Sequence, residues 1–193
     1  MKRKTKKYSI IYADPPWFYN ARNNPKNTKF GFGACGHYPV MKTPDICNLD
    51  IGRMCNDNSV LFLWSTMPRL PDALEVMSSW GFEYKTVGFS WLKTNKDGSP
   101  WFGIGYYTKS NLELCLLGVR GKMKPVSNHV SQVILEPRGR HSQKPVIVRD
   151  KIVELFGDLD RIELFAREQA DGWDAWGNEI ENPITHITFK EGD

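Results

Sequence analysis

The chain has no Cys-x-x-Cys pair, and Cys35, Cys47, Cys55 and Cys115 do not combine with the scattered histidines 37, 129, 141 and 186 into a zinc pattern. Zinc-ribbon and zinc-finger readings are excluded, and no metal is expected. No stretch has the apolar core of a signal peptide or the length of a transmembrane span, so a reducing cytoplasm, free thiols and no membrane are expected. Internal repeats and low-complexity blocks are also missing. Most informative is the lack of a glycine-rich loop after the first apolar run. The one formal Gly-x-Gly-x-x-Gly, at residues 31–36, sits between polar loop and His37-Tyr38-Pro39. A dinucleotide fingerprint must leave a strand and open a helix, so this match is a decoy, and a dinucleotide-dependent oxidoreductase is disfavoured.

What is present suits one soluble domain. The 193 residues carry 40% hydrophobic and 25% charged side chains, enough to bury a proper core. The net charge of +4 is unevenly placed, with Lys2, Arg3, Lys4, Lys6 and Lys7 in a basic arm over residues 1–7. Residues 8–193 are expected to form a single domain. Arg138 and Arg140 bracket a glycine further on, and such clusters favour a polyanion. Aromatics make up 12% of the chain, and several of the seven tryptophans sit in apparent loops, where they suggest stacking surfaces.

The first apolar run, residues 8–13, reads as a buried strand. It ends at Asp14-Pro15-Pro16-Trp17. Two prolines fix the backbone and withdraw two N–H donors, so outward-facing free carbonyls are expected there. An acid, a carbonyl-rich turn and an exposed indole would together accept a flat ring bearing an amino group.

Residues 18–39 read as a long loop, which carries Arg22, Lys26 and Lys29 together with Phe30 and Phe32. Cations of that kind suit phosphates, and rings suit bases. Thr43-Pro44-Asp45 reads as an N-cap with proline at the first helical position. A strand buried on both faces follows at 59–64. Leu70, Ala73, Leu74, Met77 and Trp80 then recur at helical spacing, with Gly81 as the stop. Further strands are expected at about 84–93, 112–119, 130–135 and 161–166, and a weaker one at 184–189. Residues 94–110 form a second loop rich in glycine and aromatics, and a helix bearing Val148, Ile152 and Leu155 ends at Gly157. Strand, helix, strand from 59 to 93 implies a right-handed parallel crossover. The alternation gives an α/β, doubly wound, mostly parallel sheet. Ligands bind such sheets outside the carboxyl ends of the strands, where Asp14 and Arg167 both fall.

Several motifs now stand in one order: Asp14-Pro15-Pro16-Trp17, His37-Tyr38-Pro39, Leu61-Phe62-Leu63-Trp64 and Trp91-Leu92-Lys93-Thr94. They continue with Asn111-Leu112-Glu113, His141-Ser142-Gln143-Lys144-Pro145, Glu163-Leu164-Phe165-Ala166-Arg167 and Gly177-Asn178-Glu179. Taken together they resemble the adenine-N6 methyltransferases, the family of the eukaryotic mRNA methyladenosine writer's catalytic subunit and of many bacterial and phage DNA enzymes. The resemblance implies a circularly permuted, Rossmann-like methyltransferase fold with the catalytic strand first. It implies S-adenosylmethionine as cofactor, held largely by the carboxyl-terminal third, which accounts for the missing glycine loop.

The resemblance also implies roles. Asp14, Pro15, Pro16 and Trp17 are the expected catalytic residues. Tyr19, Asn20, His37, Tyr38, Lys93, Asn111, Glu113, Arg138 and Arg140 are expected at the substrate. Asp14, Lys144, Glu163, Phe165, Arg167, Asn178 and Glu179 are expected at the cofactor, whose carboxylate would supply the anion that Lys144 needs near a helix start. DNA is the expected polymer and RNA the alternative, with the chain a monomer or homodimer and no partner subunit evident. A catalytically inactive nucleic-acid-binding relative is the second class of reading. None of the four cysteines follows a proline, which argues against the covalent thiolate route of cytosine-C5 methylation. A target adenine in a duplex has to be flipped out, and the 20–37 and 94–110 loops are candidates to fill the gap.

Overall fold

The structure is a computed structural model and describes residues 6–19, 40–103, 105, 107–139, 143–181 and 187–190. Its frame is a seven-stranded sheet. The strands are β1 (Tyr8–Ala13), β2 (Cys55–Ser65), β3 (Glu83–Thr94), β4 (Leu112–Arg120), β5 (Val133–Pro137), β6 (Arg161–Leu164) and β7 (Asp174–Trp176). They lie in the order β5-β3-β4-β2-β1-β6-β7. Pairing is parallel for β1 with β2, β1 with β6, β3 with β5 and β6 with β7, and antiparallel where β4 meets β2 and β3. Only β4 is reversed, so it begins at the edge where the other strands end.

The core follows from the two-residue period of the strands. Ile11, Ala13, Leu61, Leu63 and Leu116 face one side, against α1 (Thr43–Cys47) and α2 (Leu70–Ser79), whose Ile46, Ala73, Val76 and Met77 are buried there. Ile10, Tyr12, Val60, Phe62, Trp64 and Leu117 face the other, against Val148, Ile152 and Phe156 of α3 (Ile147–Phe156). Burial on both faces explains why β1 and β2 read as unbroken apolar runs. Gly81 and Gly157, with φ of 84° and 85°, end α2 and α3 as expected.

Several local expectations are corrected. Thr43 is not the N-cap: Lys42 holds that position without a side-chain cap bond, and Thr43 Oγ1 donates instead to Asp72 Oδ1 at 2.5 Å. Leu74 is exposed, and the buried face of α2 is completed by Val76 beside Ala73 and Met77. The fifth strand is displaced to 133–137, where its partner β3 has unpaired backbone to offer. Within the expected 184–189 strand, residues 187–190 contribute a bridge from Phe189 to Leu49, and 182–186 lie outside the described residues. The strand β7 was not anticipated, since three residues are too few for an alternation to register.

Of the basic arm, Lys6 and Lys7 are described. Lys6 Nζ lies 2.7 Å from Asp174 Oδ2 and 3.4 Å from Asp160 Oδ1. Those carboxylates precede or begin β6 and β7, so Lys6 stands at the amino edge of the sheet, opposite Asp14.

Candidate active site

The expected site residues leave the sheet along one edge. Asp14 follows β1, Lys93 is at the end of β3, Glu113 is at the start of β4, Arg138 follows β5, Phe165 follows β6 and Gly177 follows β7. The reversal of β4 is what brings Glu113 to this edge, and its pairing with Trp91 sets it beside Lys93.

Four of these side chains form a chain of alternating charge. Lys144 Nζ lies 2.6 Å from Asp14 Oδ2 and 3.4 Å from Glu113 Oε2. Glu113 Oε1 in turn accepts from Lys93 Nζ. The Lys144 side chain is 12% exposed and Glu113 14%, whereas Asp14 keeps 26% and opens into the clefts beside it. Burial lifts the Asp14 carboxyl above the ordinary carboxylate value, and Lys144 offsets only part of that. Burial acts on Glu113 in the same sense, but Lys144 and Lys93 outweigh it and hold its carboxyl below the usual range. For Lys144 the two carboxylates overcome desolvation and push its pKa up, so it stays cationic. Asp14 and Glu113 thus supply anions beside Lys144 near this helix start.

Two clefts meet at Asp14. One runs past Lys144, Arg149 and Glu163, the other past Pro15, Pro16, Trp176 and Asn178, and Phe165, Arg167 and Glu179 line both. Phe165 has a φ of 60°, uncommon for a bulky residue, and its ring meets Trp176 edge-on at 5.2 Å. Ala166 N donates to Trp176 O at 2.9 Å, binding the turn after β6 to β7. A Cβ on Gly177 would run into the Ala166 carbonyl, so glycine permits the close approach that brings Asn178 and Glu179 to the cleft. Arg167 Nε is 3.7 Å from Glu179 Oε1. Glu163 is held from behind by Arg149, through Nε at 2.7 Å and Nη2 at 3.2 Å, and Arg149 also reaches Glu168 at 3.0 Å. Sequence reasoning missed Arg149, which lies on α3 outside every motif.

Two expectations about the tetrapeptide are overturned. Trp17 is not an exposed indole: it is 5% exposed, packs in the core, and donates Nε1 to Trp64 O at 3.1 Å. Nor are the proline carbonyls free, since Pro15 O accepts from Trp17 N at 2.9 Å and Pro16 O from Met41 N at 2.8 Å. A chain leaving the sheet through two prolines folds back on itself, and its carbonyls find donors within the turn. Pro15 O nevertheless retains a second lone pair.

Tyr19 is half-buried, with its hydroxyl 2.5 Å from Thr66 Oγ1 and the Arg69 guanidinium over its ring at 4.9 Å. Asn111 enters the site region through its carbonyl, which accepts from Lys93 N at 2.9 Å. Arg138 lies over the Trp101 ring at 4.0 Å. Asn20, His37, Tyr38 and Arg140 lie outside the described residues. Cys55 is pushed up to about 12 by burial and the Cys115 thiol is also raised by burial, so neither is a ready thiolate. Among the described residues no cluster of His, Cys, Asp and Glu is placed to hold a metal, and no helix is long and apolar enough to cross a membrane.

A mostly parallel sheet, helices on both faces and a polar cleft at the carboxyl edge define a Rossmann-like methyltransferase fold. The chain belongs to the MT-A70 family, whose pattern matches residues 8–179, and it is thereby a methyltransferase. It is 39% identical over 203 residues to the type II methyltransferase M.MunI of Mycoplasma sp, covering 97% of this chain and 84% of that protein. It is 28% identical to the N6-methyladenosine RNA methyltransferase MTA1 of Pyricularia oryzae, covering 90% of this chain and 47% of the relative. Identity to the human N(6)-adenine-specific methyltransferase METTL4 is 25%, covering 91% of this chain and 38% of the relative.

Proposed function

We propose that the protein transfers a methyl group from S-adenosylmethionine to the N6 amino group of adenine in DNA. The observation that carries this reading is the Asp14 carboxylate, placed where two clefts meet and kept partly open beside Lys144. DNA is favoured over RNA because the relative similar over most of both chains is a type II methyltransferase, whereas the RNA enzyme MTA1 is less identical and matched over under half its length. The reading carries with it a modification role in a bacterial or phage-infected cytoplasm.

The donors and acceptors present fit the cofactor. Lys144 has three N–H donors and commits two of them to Asp14 and Glu113, leaving one for an amino-acid carboxylate. Glu163, Arg167, Asn178 and Glu179 offer acceptors and donors for a ribose and a purine edge, and Phe165 offers an apolar ring. S-adenosylmethionine, when bound, supplies an activated sulfonium methyl for direct in-line displacement, so no protein nucleophile is needed.

What the chain must supply is a better nucleophile. The N6 lone pair of adenine is delocalised into the ring. Asp14 accepts a hydrogen bond from one amino hydrogen, and the second lone pair of Pro15 O from the other, which draws the nitrogen towards sp3 and localises its pair. The one proton released as the N–CH3 bond forms and the S–CH3 bond breaks passes by way of Asp14 to solvent. The raised pKa of Asp14 makes its carboxylate a stronger hydrogen-bond acceptor. Trp17 does not stack on the base in this scheme; it fixes the turn from below.

Tritiated methyl transfer to plasmid DNA and to transcribed RNA, with Asp14→Asn alongside, tests the proposal. Label in DNA as N6-methyladenine, lost in the variant, is the expected result. Cofactor binding without transfer to any polynucleotide would overturn it.

A further inference from the structure

The aromatic loop between β3 and β4 is a built element at the active edge. Thr94 bridges Pro100, Trp101 N donates to Lys93 O at 2.9 Å, and Gly103 and Ser110 exchange two backbone hydrogen bonds of 2.7 and 3.3 Å. The stem is therefore a short hairpin continuing the antiparallel β3–β4 pair beyond the sheet. Trp101 roots it, with Arg138 at 4.0 Å and Lys93 at 5.5 Å from its ring. A Cβ on Gly103 would meet both that ring and Ser110 O, so the strand can cross there only as glycine. Through Lys93, Glu113 and Lys144 the root is linked, contact by contact, to Asp14.

Beyond this root the hairpin presents rings rather than burying them. Phe102 is 57% exposed and Tyr107 fully so. Single exposed aromatics are ordinary on protein surfaces; two on one anchored hairpin at the sheet edge that carries Asp14 are not. Lys109 Nζ is 5.6 Å from the Phe102 ring, and the Arg138 side chain forms no ion pair among the described residues. The acid on this loop, Asp97, is exposed and accepts from Ser99 N and Oγ at 3.0 and 2.6 Å within its own turn. Exposed rings with cations near them suit stacking on bases and contact with phosphates.

We propose that this hairpin is the strand-opening element for duplex DNA, with Tyr107 and Phe102 entering the stack beside the target and occupying the space an extruded adenine leaves. Arg138 and Lys109 take the flanking phosphates. This rests on the reading of the protein as a DNA adenine methyltransferase and adds how a paired base reaches Asp14. The cost of unstacking is smallest for a base already unpaired, so the hairpin's contribution is specific to duplex substrate.

The test compares methyl transfer by the whole protein to native plasmid DNA and to the same DNA heat-denatured, together with cofactor affinity. Tyr107→Ala combined with Phe102→Ala is expected to lower kcat/KM on duplex by about tenfold or more, on denatured DNA by less than about twofold, with cofactor affinity unchanged. Tyr107→Phe, which keeps the ring, is expected to retain duplex activity. Equal losses on both DNA forms, or no loss on duplex, would overturn the hairpin's role while leaving the methyltransferase reading intact. A wild-type protein that methylates only denatured DNA would overturn it as well. Transfer to neither form by wild type would sink the DNA reading and the hairpin's role with it.

Discussion

Lys144 Nζ lies 2.6 Å from Asp14 Oδ2, joining residues 130 positions apart across the carboxyl edge of the sheet. The pair sets the protonation of the proposed acceptor. Asp14 must be ionised to draw a hydrogen from an amino group, so activity falls as pH drops through its folded pKa, which burial holds above the ordinary value. Lys144 is the largest influence opposing that rise.

Replacing Lys144 by Met removes the opposing charge. The acid limb of kcat/KM, measured at saturating cofactor, is then expected to move to higher pH. A loss of affinity alone would lower the profile without shifting its midpoint, so the pH axis separates the two roles of this lysine.

Glu113 separates two cations, and its removal leaves Lys93 and Lys144 facing each other at the buried end of β4. Glu113→Gln is expected to cost about 2–4 kcal/mol of stability at neutral pH in denaturant titration. The sign with pH follows from a lowered folded pKa: the stabilisation is present above the unfolded carboxylate value and is lost as pH falls through the folded one. Wild type and variant should therefore converge in acid, and a pH-independent gap would contradict the assignment.

Trp17 gives a prediction that separates packing from recognition. With the indole 5% exposed and its N–H on the Trp64 carbonyl, Trp17→Phe is expected to cost about 1–3 kcal/mol, read as a lower Tm. The KM for DNA is expected to stay unchanged. A raised KM at unchanged Tm would return the ring to the substrate.

The doubly wound class and the two outer helices were legible from residue types, because strands buried on both faces read as unbroken apolar runs and helices as 3.6-residue stripes. The carboxyl edge was also legible for Asp14 and Arg167, which sit just beyond apolar runs. The reversal of β4 was not. Its sequence is as apolar as its neighbours', and direction leaves no mark on composition, so only the family resemblance, and not position, pointed Glu113 towards the substrate. The fate of Trp17 and the proline carbonyls was equally hidden, because it depends on Met41 and Trp64, which only the folded chain brings to the turn. Arg149 escaped for a related reason: a cation on a helix face reads as solvated until β6 places Glu163 beside it.

Gly177 carries the sharpest prediction for the carboxyl-terminal half. A methyl group there collides with Ala166 backbone rather than with a side chain that could swing aside. Either the turn after β6, already at positive φ at Phe165, or the Asn178–Glu179 segment must shift. Both line the cleft that the cofactor is proposed to fill. Gly177→Ala is expected to weaken S-adenosylmethionine binding on the order of 10-fold to 100-fold by calorimetry, as misplaced contacts do. DNA affinity, measured without cofactor, should remain, because Arg138 and the β3–β4 hairpin stand on the far side of Lys144 from this turn. Matched losses of both affinities would mean that the substitution unfolds the edge as a whole. Intact cofactor affinity would place the purine elsewhere than against Asn178.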